Sequence, residues 1–345
     1  MNNFGCRFLE EGINFDAHSV TDCCILHHDN QGSPLLISDY NGESIDWDMI
    51  FEIKANRINS HKNQTIDECK DCFLLTEYNF KNEKRISEFQ FSCCQICNAK
   101  CIYCYHERYN GKVNYDLLPV IKDLIQKGLY KSGGEASFQG GEPTLMKNFE
   151  ELTELFLQNG TFIRVNTNVI KYSDKIYEFL KQDKGMIVTS LDCGCRKTYK
   201  KIKQVNCFDK CVENIKMYSS ANRENVIVKY VIIPGINDNI REIDKFFDVI
   251  NSIGIINVAL DMESLYARKY DYKHVSPHIY LLVDYFNHLA KIQNVKVSVF
   301  SYMNYVLNNR NIKPSKFIKN KLIYSIIVSL MNERHKKFDY SINEK

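Results

Sequence analysis

From about residue 86 onward, two hydrophobic periods alternate along the chain. Short β-branched or aromatic runs at Ile86 to Ser92, Glu135 to Gln139, Thr161 to Asn166, Met186 to Leu191, Val226 to Ile232, Ile255 to Leu260 and Val295 to Phe300 predict strands. Between them, stretches near residues 115–129, 147–159, 173–183, 208–220, 239–252 and 277–292 carry the wider apolar spacing of helices. Strand followed by helix, six or seven times over, predicts a parallel sheet, and that many units suit a partial or full barrel better than a short open sheet. Ligands of such folds bind at the carboxyl ends of the strands, so chemistry is expected there.

The flanks break the rhythm. Asp29-Asn30-Gln31-Gly32-Ser33-Pro34 is a turn cluster within a short hairpin expected around Cys23 to Ser38, and Ser60 to Asp71 is polar and loop-like. Lys313-Pro314-Ser315 introduces a terminal helix running to Leu330 with one apolar face. The chain thus divides into an N-terminal accessory segment (1–85), a core (86–300) and a C-terminal helix and tail (301–345). The accessory segment sits just before the first core strand, which makes it a candidate cover for the barrel mouth.

Composition narrows the function. With 45 Lys+Arg against 42 Asp+Glu the net charge is +3, without the basic excess of a dedicated nucleic-acid binder. A hydrophobic share of 44% is enough for a real core. No stretch reaches the ~20 apolar residues of a membrane span, and Met1 to Val20 lack the apolar run of an export signal, so a cytoplasmic protein with no membrane partner is expected. Fourteen cysteines in such a chain read as metal ligands or redox groups rather than disulfides.

Their spacing is informative in Phe91-Ser-Cys-Cys-Gln-Ile-Cys97-Asn-Ala-Lys-Cys101-Ile-Tyr-Cys104, directly after the first core strand. One loop can present Cys97, Cys101 and Cys104 to one metal centre. Three ligands leave a position open: a structural zinc site is normally closed by a fourth protein ligand, whereas an iron–sulfur cluster with one uncoordinated iron can take a chelating small molecule.

This loop resembles that of the radical S-adenosylmethionine (SAM) enzymes, and Tyr103 stands where that family carries an aromatic residue before the last cysteine. One strand–helix unit later, Ser137-Phe-Gln-Gly140-Gly141-Glu142-Pro143 is similar to the family's Gly-Gly-Glu motif. Adjacent glycines let backbone approach a ligand closely, and Glu142 can accept a charge-assisted hydrogen bond from the methionine ammonium. The likeness continues through Arg164-Val-Asn166-Thr-Asn168, Thr189-Ser190-Leu-Asp192 and Lys229 to Asp238, where the family's strand ends contact the cofactor; Asn166, Ser190 and Ile233 are the corresponding candidates.

The resemblance covers residues 86 to about 262 and implies an α/β fold, a partial (β/α)6 TIM-like barrel, here with the N-terminal appended segment and C-terminal helical extension. It implies a 4Fe-4S cluster on Cys97, Cys101 and Cys104, SAM as cofactor, and an electron donor such as flavodoxin or ferredoxin. Reductive cleavage of SAM would give a 5′-deoxyadenosyl radical that removes hydrogen from a small-molecule or carbohydrate-like substrate. No catalytic residue or substrate pocket is identified. The alternatives are a glycyl-radical enzyme activase, a peptide-modifying relative, and a non-catalytic zinc or iron–sulfur protein. No cysteine follows Cys211, unlike many peptide-modifying relatives with cysteine-rich extensions.

The other cysteines carry less. Cys69-Lys-Asp-Cys72 with Cys93 and Cys94 is a candidate auxiliary cluster or zinc site, set against partly buried thiols. Cys193 and Cys195 read as small loop residues, Cys207 and Cys211 as a half-buried helix face, and His27-His28 as a surface pair. The charge runs Lys181 to Lys184 and Arg196 to Lys203 read as solvated helix faces, while Arg164 is a candidate anion clamp.

Overall fold

A computed structural model describes residues 4–23, 35–63, 69, 72, 75–104, 113–263, 277–300, 303 and 307. The first part of the chain forms β1 (Phe4–Gly5), α1 (Arg7–Glu11), β2 (Gly12–Phe15), β3 (Ser19–Thr21), β4 (Leu36–Asp39), α2 (Trp47–Asn63) and β5 (Thr76–Glu77). The βα series follows: β6 (Glu88–Cys94), α3 (Leu118–Gln126), β7 (Glu135–Gly140), α4 (Phe149–Gln158), β8 (Phe162–Asn166), α5 (Asp174–Lys181) and β9 (Gly185–Ser190). It continues through α6 (Arg196–Lys203), α7 (Phe208–Ala221), β10 (Val226–Ile232), α8 (Ile240–Ser252), β11 (Asn257–Met262), α9 (Pro277–Ile292) and β12 (Lys296–Val299). Each of the seven strands expected from the sequence forms within two residues of its expected ends.

The strands build one ten-stranded sheet in the order β12-β11-β10-β9-β8-β7-β6-β2-β3-β4. Pairing is parallel from β12 through β6 to β2, and antiparallel from β2 to β4. This is the α/β architecture expected, a partial barrel of strand–helix units. Register keeps like side chains together: Phe91, Phe138, Val165, Ile187 and Val226 pair from strand to strand and are at most 1% exposed. That row meets the helices, with Phe138 edge-on to Phe149 of α4 at 5.3 Å. The adjacent row, Gln90, Ser137, Arg164 and Met186, faces the other side because strand side chains alternate.

Helix placement follows local signals. The Ser173 side chain accepts from the Ile176 N–H at the start of α5, whose Ile176, Phe179 and Leu180 are buried at i, i+3 and i+4. Asn239 caps α8 in the same way by accepting from the Glu242 N–H.

Described parts of the stretch before residue 85 join the sheet and the main core. β2 hydrogen-bonds in parallel to β6, and Ile13, Phe15, Val20, Ile37, Tyr40, Trp47, Ile50 and Phe51 belong to the main hydrophobic core. The sheet therefore begins at Gly12, and cutting at residue 85 would remove three of its strands. The expected hairpin pairs β3 with β4, but its turn at 29–34 lies outside the described residues, as do His27, His28 and the terminal helix expected over 313–330. The loop expected from Ser60 is a correction: α2 continues to Asn63. Its buried stripe includes Lys54 and His61 among Trp47, Ile50, Phe51 and Ile58, and those two polar members hid the helical period.

Candidate active site

The cysteine loop leaves the carboxyl end of β6 and is clasped at both ends. At its start, the Gly141 N–H donates to Cys94 O at 2.6 Å and the Glu142 N–H to Ile96 O at 2.8 Å. Farther along, the Lys100 N–H donates to Lys203 O at 3.0 Å and the Ile102 N–H to Ile202 O at 2.9 Å. The loop is thus strung between the end of β7 and the end of α6.

This explains the paired glycines. Gly140 has φ +102°, a region L side chains rarely adopt, and a Cβ there would lie 2.8 Å from Cys94 O. A Cβ on Gly141 would lie 2.3 Å from Ile96 O. Only bare backbone lets the cysteine loop run this close to β7.

Glu142 is held by protein donors. Its side chain is fully buried, and it receives Thr144 N–H at 3.2 Å, Thr144 Oγ1 at 2.8 Å, Thr167 Oγ1 at 2.8 Å and Asn168 N–H at 2.8 Å. Burial pushes its carboxyl above the usual carboxylate range, opposed by these hydrogen bonds. The side chain thereby joins the loops after β7 and β8.

Cys97 is exposed, while Cys101 and Cys104 are half-buried. The Cys104 N–H donates to Cys101 O at 3.0 Å, and Cys97 Sγ accepts from the Ala99 N–H at 3.5 Å and from Asn168 Nδ2 at 3.6 Å. Burial raises the thiols of Cys97 and Cys101, which a metal would displace as protons on binding. Among the described residues no three His, Cys, Asp or Glu surround a single ion. An iron–sulfur cluster does not require that, because its thiolates attach to different irons, and three cysteines on one loop suit such a donor set.

Behind the loop lies a buried polar brace that the sequence did not reveal. Lys203 Nζ donates to Asp192 Oδ2 at 2.5 Å and to Tyr103 Oη at 2.6 Å, and Tyr103 Oη donates to the same Asp192 oxygen at 2.7 Å. The ammonium also lies 4.9 Å from the Tyr103 ring centroid. Burial alone would lower Lys203, yet Asp192 and Tyr103 hold it well above the ordinary lysine value. Burial followed by the charge of Asp192 raises the Tyr103 phenol. Asp192 itself has φ +64°; its Oδ1 accepts the Val231 N–H and its carbonyl accepts Asn237 Nδ2. The reading of Arg196 to Lys203 as a solvated face therefore fails at its last residue, where the side chain is 3% exposed. The unusual φ of Asp192 has no single-sequence signature, and Lys203 resembles its lysine neighbours.

The remaining candidates lie at the expected strand ends. Asn166 Nδ2 donates to Gln139 Oε1 at 3.3 Å, Gln139 Nε2 to Ser92 Oγ at 3.1 Å, and Ser92 Oγ to Asn14 Oδ1 at 3.5 Å, so one polar chain crosses β8, β7, β6 and β2. Ser190 ends β9, half-buried. Ile233 follows β10, buried, with its N–H held by Asn237 Oδ1 at 2.7 Å. Arg164 is no open anion clamp: it pairs with Glu135 through Nε at 2.7 Å and Nη2 at 2.9 Å. Cys193 and Cys211 are buried in the core, Cys195 and Cys207 half-buried.

The radical SAM superfamily model matches residues 91–247. Two similar relatives are a probable GTP 3′,8-cyclase from Saccharolobus islandicus (strain M.14.25 / Kamchatka #1) and a GTP 3′,8-cyclase from Clostridium botulinum (strain Okra / Type B1). The first is 26% identical over 181 residues, covering 51% of this chain and 56% of the relative. The second is 25% identical over 178 residues, covering 49% and 54%. The chain therefore spans about half the length of these relatives. Among solved structures, Streptococcus suis SuiB bound to S-adenosylmethionine aligns with TM-score 0.48 and 15% identity over 78% of this chain and 56% of that one. Native anSMEcpe with bound AdoMet and a Cp18Cys peptide aligns with TM-score 0.44 and 18% identity over 60% of this chain and 61% of that one. No helix among the described residues is long and apolar enough to cross a membrane.

Proposed function

We propose that the protein is a radical SAM enzyme whose Cys97, Cys101 and Cys104 hold a 4Fe-4S cluster with one iron left for SAM. The observation that carries the reading is the clasp of the three-cysteine loop between Gly140-Gly141-Glu142 and the end of α6. When reduced, that cofactor pair supplies a 5′-deoxyadenosyl radical able to remove hydrogen from a substrate. The chain's own part is to hold the loop in place, through the two glycines on one side and the Tyr103, Asp192 and Lys203 brace on the other. Asn166, Ser190 and Ile233 stand at successive strand ends beside it, where they would bound the SAM site.

The substrate is a small polar molecule. Gln90, Ser137, Gln139, Asn166 and the Arg164–Glu135 pair put hydrogen-bonding groups beside Met186 and Val188 on the face of the sheet opposite the helix-packed row. Relatives named GTP 3′,8-cyclase make a purine nucleoside triphosphate the first compound to try. The reductant is a low-potential donor of the flavodoxin or ferredoxin kind.

Anaerobic iron and acid-labile sulfide counts, with dithionite-driven 5′-deoxyadenosine formation, test the reading on wild type and on Cys97/Cys101/Cys104→Ala. The triple variant is expected to lose four irons and all 5′-deoxyadenosine. Zinc in place of iron in reconstituted wild type, without SAM cleavage, overturns the enzyme. GTP consumption coupled to 5′-deoxyadenosine tests the substrate, and turnover unchanged by GTP discards it.

A further inference from the structure

Outside the main core lies a second, much smaller one, made of buried Leu9, Leu35, Ile58, Cys69 and Phe80, with Cys6, Cys23, Leu75 and Tyr78 packed against it. Three segments far apart in sequence thus bring cysteines to one place. Cys72 joins them, its N–H donating to Cys69 O at 3.0 Å. None of Cys6, Cys23, Cys69 and Cys72 is in a disulfide. Cys93 and Cys94, grouped with Cys69 and Cys72 by sequence proximity, belong to the main core on β6 instead. Burial raises both of those thiols, Cys94 to about 11.

We infer that Cys6, Cys23, Cys69 and Cys72 form a closed four-thiolate metal site, separate from the cysteine loop after β6. One further observation supports it. The Cys69-x-x-Cys72 turn closes with the same N–H to carbonyl hydrogen bond, at the same 3.0 Å, as Cys101-x-x-Cys104 in the cluster loop.

The chemical class is a cation that takes four sulfurs: zinc, or a 4Fe-4S cluster with no open iron. Either would be structural, since no ligand position is left for a substrate. A core of five buried residues is small, and metal is a usual staple for such modules. Among the described residues the sulfurs do not yet enclose an ion; binding would draw them together, and its free energy would become folding free energy.

The test is metal analysis on the full chain carrying Cys97/Cys101/Cys104→Ala, which removes the first centre. One zinc, or four irons with four sulfides, per chain is expected to remain; the two results distinguish the two metals. Adding Cys69→Ser and Cys72→Ser should remove that residual metal, whereas adding Cys193→Ser should not. A triple variant free of metal, or metal insensitive to Cys69 and Cys72, overturns the site. Should the five-fold variant fail to fold, cobalt(II) added to the metal-free triple variant gives thiolate-to-cobalt absorption that weakens in Cys6→Ser and in Cys23→Ser. Cobalt absorption in Cys6→Ser and Cys23→Ser as strong as in the triple variant also overturns it.

Discussion

Two cysteine-bearing regions of this protein are built in opposite ways. Cys97, Cys101 and Cys104 are neighbours in sequence, and tertiary structure is spent on holding their loop, with backbone hydrogen bonds to β7 and α6 and the buried Lys203–Asp192 pair behind it. Cys6, Cys23 and the Cys69-x-x-Cys72 pair come from three separate stretches of sequence, and tertiary structure brings Cys6, Cys23 and Cys69 together around a handful of apolar side chains. A site that must expose an open coordination position needs a rigid support behind it. A site that is itself a staple can sit on a weak one.

The largest expected effect breaks the first support. Lys203→Met leaves Asp192 buried without its cation, at a cost of about 3–5 kcal/mol, read by denaturant unfolding. Lys203→Met combined with Asp192→Asn should recover much of that loss. Equal stability of wild type and Lys203→Met would mean that the pair does not brace the loop.

A smaller effect comes from the other end of the loop. Gly141→Ala puts a Cβ against Ile96 O and should cost about 1–3 kcal/mol by crowding. Iron bound by the Cys97 loop should fall while the circular dichroism of the sheet and helices is retained; full iron occupancy would show that the glycine is not needed for the close approach.

The smallest effect sharpens the contrast between the regions. Chelating the metal of the N-terminal site should speed hydrogen exchange in α1 and around Leu75, leaving β7 to β10 unchanged, because opening is local where the core is small. Uniform protection loss across the sheet would show that the small core and the main one unfold together.

The strand–helix series was legible because period-two and period-3.6 burial are local properties: Ile176, Phe179 and Leu180 announce α5 without any knowledge of its neighbours. The three-cysteine spacing and the glycine pair were legible for the same reason, since one loop and one turn contain them. α2 was missed because two of its buried positions are Lys54 and His61. The four protein donors around Glu142 were not legible, because nothing in a linear motif tells which loops will meet at a carboxylate.

What the sequence by itself determined is the βα architecture, the place of the cysteine loop and the close backbone approach at Gly140 and Gly141. Only the tertiary structure decided that Lys203 is buried among lysines that are not, that β2, β3 and β4 extend the barrel sheet, and that Cys6, Cys23 and Cys69 share one core. The physical reason is separation along the chain. Local periodicity and spacing are written within a few residues, whereas burial of a charge and convergence of distant thiols depend on packing between segments about 10 to 100 residues apart.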